Sequence, residues 1–154
     1  MVINNYKGVS LVSLFDTIAT LAEVLQDHLQ SKDIVDLLLP LLATRLRSFN
    51  QNDRRILPLF EAYEQVISAI GSDLCEPHIN EIYTKVIQIL GSIKKETENV
   101  SESSQKDIWY FATDFLIRSI DLMHAINSTM KAKINVLLAS DGYMIIELLQ
   151  YFCK

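Results

Sequence analysis

One apolar stripe does most to restrict what this chain can fold into. Ile56, Leu59, Phe60, Tyr63, Val66, Ile67 and Ile70 follow at intervals of three and four. That spacing gathers side chains on one face of an α-helix, whereas a strand would scatter them over both faces. The segment carrying them, 53–71, is preceded by a second apolar pattern, Ile34–Arg47. Ser48-Phe-Asn-Gln-Asn52 between them is short and polar, so the two patterns predict an antiparallel helical hairpin. Asn52 is the expected N-cap of the second helix, and Gly71 stands where a left-handed residue would end it. Pro58 predicts that regular helix begins only near it.

The flanking segments repeat the pattern. Val9, Val12, Phe15, Ile18, Ala22, Leu25 and Leu29 predict a first helix over roughly 8–29. Ser31 is placed to cap the next helix, with Asp33 near its positive end and Pro40 bending its interior. A fourth helix is expected to open at Pro77, with Ile79, Ile82, Tyr83, Val86, Ile89, Leu90 and Ile93 as its stripe. Lys94–Ser104 reads as a flexible polar loop. Ser104 and Asp107 form a capping signal for a fifth helix carrying Ile108, Phe111, Phe115, Leu122 and Ile126, interrupted at Asn127-Ser-Thr. A short helix around 134–138 and a last one over about 143–152 follow, separated by Asp141-Gly142.

First helices thus begin near 8, 53 and 105, with partners near 33, 77 and 143. Spacings of about 45–50 residues suit helix-pair repeats of the HEAT or armadillo kind. The expected class is all-α: an α-solenoid of about three HEAT-type helix pairs, with 1–154 as one segment. A compact four-to-six-helix bundle is the alternative.

Composition narrows the function classes. Hydrophobic residues make up 49% of the 154, and glycine and proline are scarce. The net charge of −5 argues against nucleic acid, which selects for basic surfaces. A mean hydropathy of +0.18 is high for a self-contained bundle with a polar exterior. A piece of a longer stack keeps apolar end faces, so a fragment of a longer superhelix is expected, sticky at Val12 and Phe15 and at Leu148 and Phe152. No apolar run approaches the roughly 18–20 residues needed to cross a bilayer. Met1–Lys7 lacks the charged-then-apolar order of a signal peptide. Cys75 and Cys153 have no metal-type spacing and read as free thiols in a reducing compartment. The glycosylation-type patterns at Asn99 and Asn127 then read as chance matches.

No catalytic constellation stands out. His28, His78 and His124 fall in three different units, and Cys75 with His78 falls short of a metal site. There is no Gly-rich phosphate loop, nucleophile elbow or HExxH pattern. Glu61 and Glu64 share one side of a helix, where a solvated face explains them as well as acid–base chemistry does. Of Trp109, Tyr110 and Phe111, at least one is expected to point away from the local core. Arg45, Arg47, Arg54 and Arg55 bracket the 48–52 turn and read as a solvated hairpin tip. No enzyme, metal or cofactor is expected.

Four stretches carry a resemblance. They are Tyr6-Lys-Gly with Leu14-Phe-Asp-Thr-Ile-Ala-Thr-Leu-Ala-Glu23, Leu38-Leu-Pro-Leu-Leu42, Leu57-Pro-Leu-Phe-Glu61, and Ile82-Tyr83. In order and spacing they resemble the middle HEAT repeats of the karyopherin-β2, or transportin, class of nuclear import receptors. The likeness runs from about Tyr6 to the C-terminus and weakens after 94–104. It implies a long HEAT superhelix that moves between cytoplasm and nucleus. Such a receptor carries cargo with basic, proline-tyrosine type localisation signals and releases it on binding Ran-GTP. The parts that bind Ran, and an acidic release loop, would lie outside this sequence. The resemblance places the cargo's proline-tyrosine pocket at Ala43 and Leu46, where the family has an aliphatic residue followed three positions later by tryptophan. Leucine in place of tryptophan removes a large flat contact. Gln88, Ser92 and Glu96 are the further cargo-binding candidates, as polar or acidic groups facing a basic peptide. No nucleic acid or membrane partner is implied. A HEAT scaffold that holds other subunits, without a transport role, is the rival reading.

Overall fold

A computed structural model describes residues 8–98 and 105–131, together with 146, 147, 150 and 151. Helices dominate: α1 (Val9–Leu25) runs into a 3-10 turn (Gln26–Leu29), then α2 (Lys32–Ser48), α3 (Ile56–Ile70), α4 (Ser72–Glu98) and α5 (Gln105–Met130) follow. No strand occurs among the described residues. The all-α expectation holds.

The arrangement follows from the stripes. In α3 all seven expected positions are buried, along with Ala62 and Ala69. A helix covered so broadly must be flanked on more than one side. It packs against α1 and against α5, while α2 lies beside α4. The first helices of successive pairs therefore form one row and the second helices another. That is the layering of HEAT-type pairs, with first helices opening at Val9, Ile56 and Gln105 and second helices at Lys32 and Ser72. Burying these apolar faces against neighbours, at about 25 cal/mol per Å², is the main force holding the rows together. A polar tie adds to it, because the Gln30 amide donates both to Asp27 Oδ1 (3.0 Å) and to the Ala69 carbonyl (3.1 Å) at the end of α3.

Several boundaries differ from the sequence reading. α3 opens at Ile56, and Asn52 is not its cap. The N-cap is Arg55, which makes no side-chain cap bond, and Asp53 braces the turn before it, its carboxylate accepting from the Arg55 backbone N–H (3.0 Å) while its carbonyl accepts from the Ile56 N–H (2.9 Å). Pro58 falls in the first turn, where a missing donor costs nothing. Gly71 has φ 80°, as expected, but it is a one-residue hinge, and α4 starts at once at Ser72. Pro77 therefore lies inside α4 rather than at its start. It removes only the bond to the Asp73 carbonyl, near an end where water can reach. Lys94–Glu98 continues α4 instead of looping, since lysine and glutamate are good helix formers. Asn127-Ser-Thr likewise stays helical through Met130. The Ser104 cap and the 134–138 helix lie outside the described residues, as do most of the 143–152 helix and the side chains of Trp109, Tyr110 and Phe111.

One expectation about α1 is overturned. By length and hydropathy alone, Val9–Leu29 is long and apolar enough to cross a membrane. Its inner stripe, Leu11, Phe15, Ala19 and Ala22, is buried against the core, while only 22% of the apolar window as a whole is buried. Phe15 is thus not an exposed end residue. Among the described residues the open apolar positions are Val9, Leu21, Val24 and Leu25 on α1, Ile34 and Leu37 on α2, Ile117 and Ile120 on α5, and Ile146. Leu148 and Phe152 lie outside the described residues.

Candidate functional site: a groove between a polar turn and the second-helix row

The turn after α2 is pinned from below. Phe49 is buried, its ring meeting Phe15 edge-on (centroids 6.4 Å, 86° apart), and the Arg55 guanidinium lies 4.8 Å from its centroid. Arg55 is held in place by a fork to the Asp53 carboxylate, which keeps that carboxyl below its usual range. With its base fixed, the turn presents Asn50, Gln51 and Asn52 to the C-terminal half of α4. Between them lies a groove of about 730 Å³, lined by Phe49, Asn50, Gln51, Asn52, Lys85, Ser92, Lys95 and Glu96.

Two hydrogen bonds join the turn to α4. The Ser92 hydroxyl donates to Gln51 Oε1, and the Asn52 amide donates to Glu96 Oε1. Closer to the middle of α4, Arg47 forms a two-pronged ion pair with Glu81, linking the second helices and lowering the Glu81 carboxyl pKa. The arginine-flanked tip is solvated, as the sequence suggested, with Arg47 and Arg55 each held in an ion pair at its surface.

The sequence candidates separate into two groups. Ser92 and Glu96 face the groove one turn apart, and exposed Gln88 precedes Ser92 by a turn on the same stripe. Ala43 and Leu46 do not reach the groove or the open surface, being 4% and 1% exposed. This corrects their placement as a pocket wall. Leucine is short enough to be drawn wholly into the core between the helix rows, leaving Thr44 and Arg47 as its outward neighbours. Lys85, Lys95 and the amides of 50–52 were missed. The Asn50-Gln-Asn52 run was the available signal, whereas Lys95 was hidden by reading 94–104 as a loop.

The remaining candidates are structural. Glu61 pairs with Arg118 across α3 and α5 (3.1 Å). Burial, then the charge of Asp121, raises the Glu64 carboxyl. Cys75 is buried, its thiol 3.7 Å from the Ile67 carbonyl and pushed up to about 12 by burial, too high for a nucleophile. Among the described residues, no three His, Cys, Asp or Glu side chains gather where a metal would sit.

Comparison with known proteins fits this architecture. Transportin of Dictyostelium discoideum is 24% identical over 138 residues, covering 89% of this chain. Human transportin-1 is 24% identical over 142 residues, or 92% of the chain. The chain is similar to the transportins. Importin subunit beta-2 of Schizosaccharomyces pombe aligns at 26% over 136 residues, or 87% of the chain. The chain spans only 15%, 16% and 14% of the lengths of these three relatives. No protein-family model matches it.

Proposed function

We propose that this chain is part of a nuclear import receptor and that its second-helix row contacts cargo. The carrying observation is a match to transportins over about nine-tenths of the chain, in a sequence whose helices stack as pairs. Such a receptor binds rather than catalyses, works in cytoplasm and nucleus, and exchanges cargo against Ran-GTP bound by other parts of the protein. The cargo signal is the basic, proline-tyrosine type.

An extended signal would lie across the outward residues of α2 and α4. Thr44, Arg47, Glu81 and Gln88 are exposed there, with Ser92 and Glu96 farther along. Ala43 and Leu46 sit buried beneath them. The acidic residue in the first turn of α2, Asp33, suits the basic portion of the signal.

The test is capture of a reporter bearing a basic proline-tyrosine signal by the natural protein containing this sequence. Retention that is lost on adding Ran-GTP supports the proposal. Retention unaffected by Ran-GTP, or none, favours the scaffold reading.

A further inference from the structure

We infer that the seam between α3 and α5, on the exposed side of the first-helix row, docks a basic amphipathic helix of a partner protein. That helix carries two lysine or arginine residues seven apart and an aliphatic residue between them. The inference stands on the first-helix row and not on the import reading.

The two helices of the seam run parallel and in step. Glu61 pairs with Arg118 (3.1 Å), and three residues farther along each helix Glu64 feels the charge of Asp121. One turn earlier, Leu57 is therefore level with Asp114. On α5, Asp114, Ile117, Arg118 and Asp121 follow at i, i+3, i+4 and i+7, which puts them on one stripe. Leu57, Glu61 and Glu64 form the facing edge of α3.

This surface joins an apolar groove to a negative track. The groove holds about 550 Å³, and Val12, Leu57, Pro58 and Ile117 supply its apolar wall. Asp114 and the Glu61–Arg118 pair complete the lining. Ile117 is 51% exposed, an isoleucine left to water in the middle of the stripe. The only guanidinium of the stripe is taken by Glu61, while among the described residues no ion pair or hydrogen bond engages Asp114 or Asp121. Burial, then the nearby charge of Asp121, raises the Glu64 carboxyl, so like charges press on each other here. Four carboxylates thus stand against Arg118 and the ring of His124, which lies beside the Ser128 hydroxyl. A basic partner with an apolar edge complements both features.

Spacing selects a helix. Asp114 and Asp121 are seven residues apart on α5, about 10.5 Å along its axis at 1.5 Å per residue. A partner helix laid along the seam returns to the same face after the same seven residues. Its basic residues at i and i+7 then meet both carboxylates, and its residue at i+3 or i+4 comes over Ile117. An extended segment returns to one face at about 6.6 Å or about 13 Å and matches neither. Lysine and arginine stems also cover apolar surface while their charged heads stay in water, so one residue serves both parts of the contact.

The test is a fluorescence-anisotropy titration of the 154-residue chain with labelled alanine-rich helical peptides. The parent peptide has lysine at i and i+7 and leucine at i+3 and i+4. Companions replace both lysines by glutamine or glutamate, replace both leucines by alanine, or place proline at mid-helix. Exposed charge pairs are individually weak, so the parent should bind about fivefold tighter than the glutamine helix at low ionic strength, and the glutamate helix weakest. That gap should narrow as salt shortens the screening length. The alanine and proline companions should both bind more weakly than the parent. Asp114→Lys with Asp121→Lys should turn the preference toward the glutamate helix, and Asp114→Asn with Asp121→Asn should weaken it. Ile117→Gln should erase the advantage of leucine over alanine, whereas Asp36→Lys on α2 should change nothing. Circular dichroism on each variant separates loss of binding from loss of fold. Equal affinity for the lysine and glutamine helices, undiminished binding of the alanine or proline companion, or indifference to the Asp114/Asp121 variants in folded protein overturns the inference. A proline-tyrosine peptide titrated in the presence of saturating parent helix scores the import reading separately, since that reading rests on the other row of helices.

Discussion

Leu46→Trp puts the reading of α2 under the most strain. The family resemblance sets a tryptophan at this position, so on resemblance alone the substitution would build a flat contact surface at little cost. Leu46 is only 1% exposed and belongs to the continuous core shared with α3 and α4. An indole adds about six heavy atoms to a site packed near crystal density, and such overpacking costs typically about 1–3 kcal/mol. With a urea m-value of about 1–3 kcal/mol per molar, the midpoint of unfolding should fall by roughly 1 M. Urea titration followed by far-ultraviolet circular dichroism measures it, with Leu46→Ala as the companion. That truncation should cost about 2–5 kcal/mol through the cavity it leaves. Changes within about 0.5 kcal/mol for both variants are what surface positions give. That result would refute the burial of Leu46 and restore it as a pocket wall.

Phe60→Ala, at a fully buried position of α3, should destabilise the chain by about 3–5 kcal/mol in the same urea assay. Glu64→Gln should raise the melting temperature near neutral pH, for a linkage reason. The folded carboxyl has a raised pKa, so its contribution to stability is present below the unfolded value of about 4.3 and is lost as pH rises through the folded value. The advantage of the glutamine variant should therefore vanish in scans run below about pH 4. Self-association is expected through the exposed Leu21, Val24 and Leu37, so Val24→Lys with Leu37→Lys should shift sedimentation toward monomer.

Much of the fold was legible because stripes report burial directly. All seven α3 positions are buried, and Gly71 takes the positive φ that ends the helix. Helix ends were less legible because local signals compete. Pro77 is a good helix starter, yet Gly71 had already turned the chain, and α4 begins at Ser72. Lys94–Glu98 is polar enough for a loop, but its residues favour helix once α4 is running. The groove was half legible. Ser92 and Glu96 belong to it, while Lys95 became visible only with the extra turns of α4. Ala43 and Leu46 show the limit of carrying a site across a substitution, since a smaller side chain at the same position is drawn into the core.

The most direct measurement of the central claim is the affinity of this chain for a labelled basic peptide ending in proline-tyrosine, against the same peptide ending in alanine-alanine. Saturable binding of the first is expected and, since about 1.4 kcal/mol is tenfold in affinity, a loss of tenfold or more for the second. Equal binding of the two, or binding of neither, would contradict it.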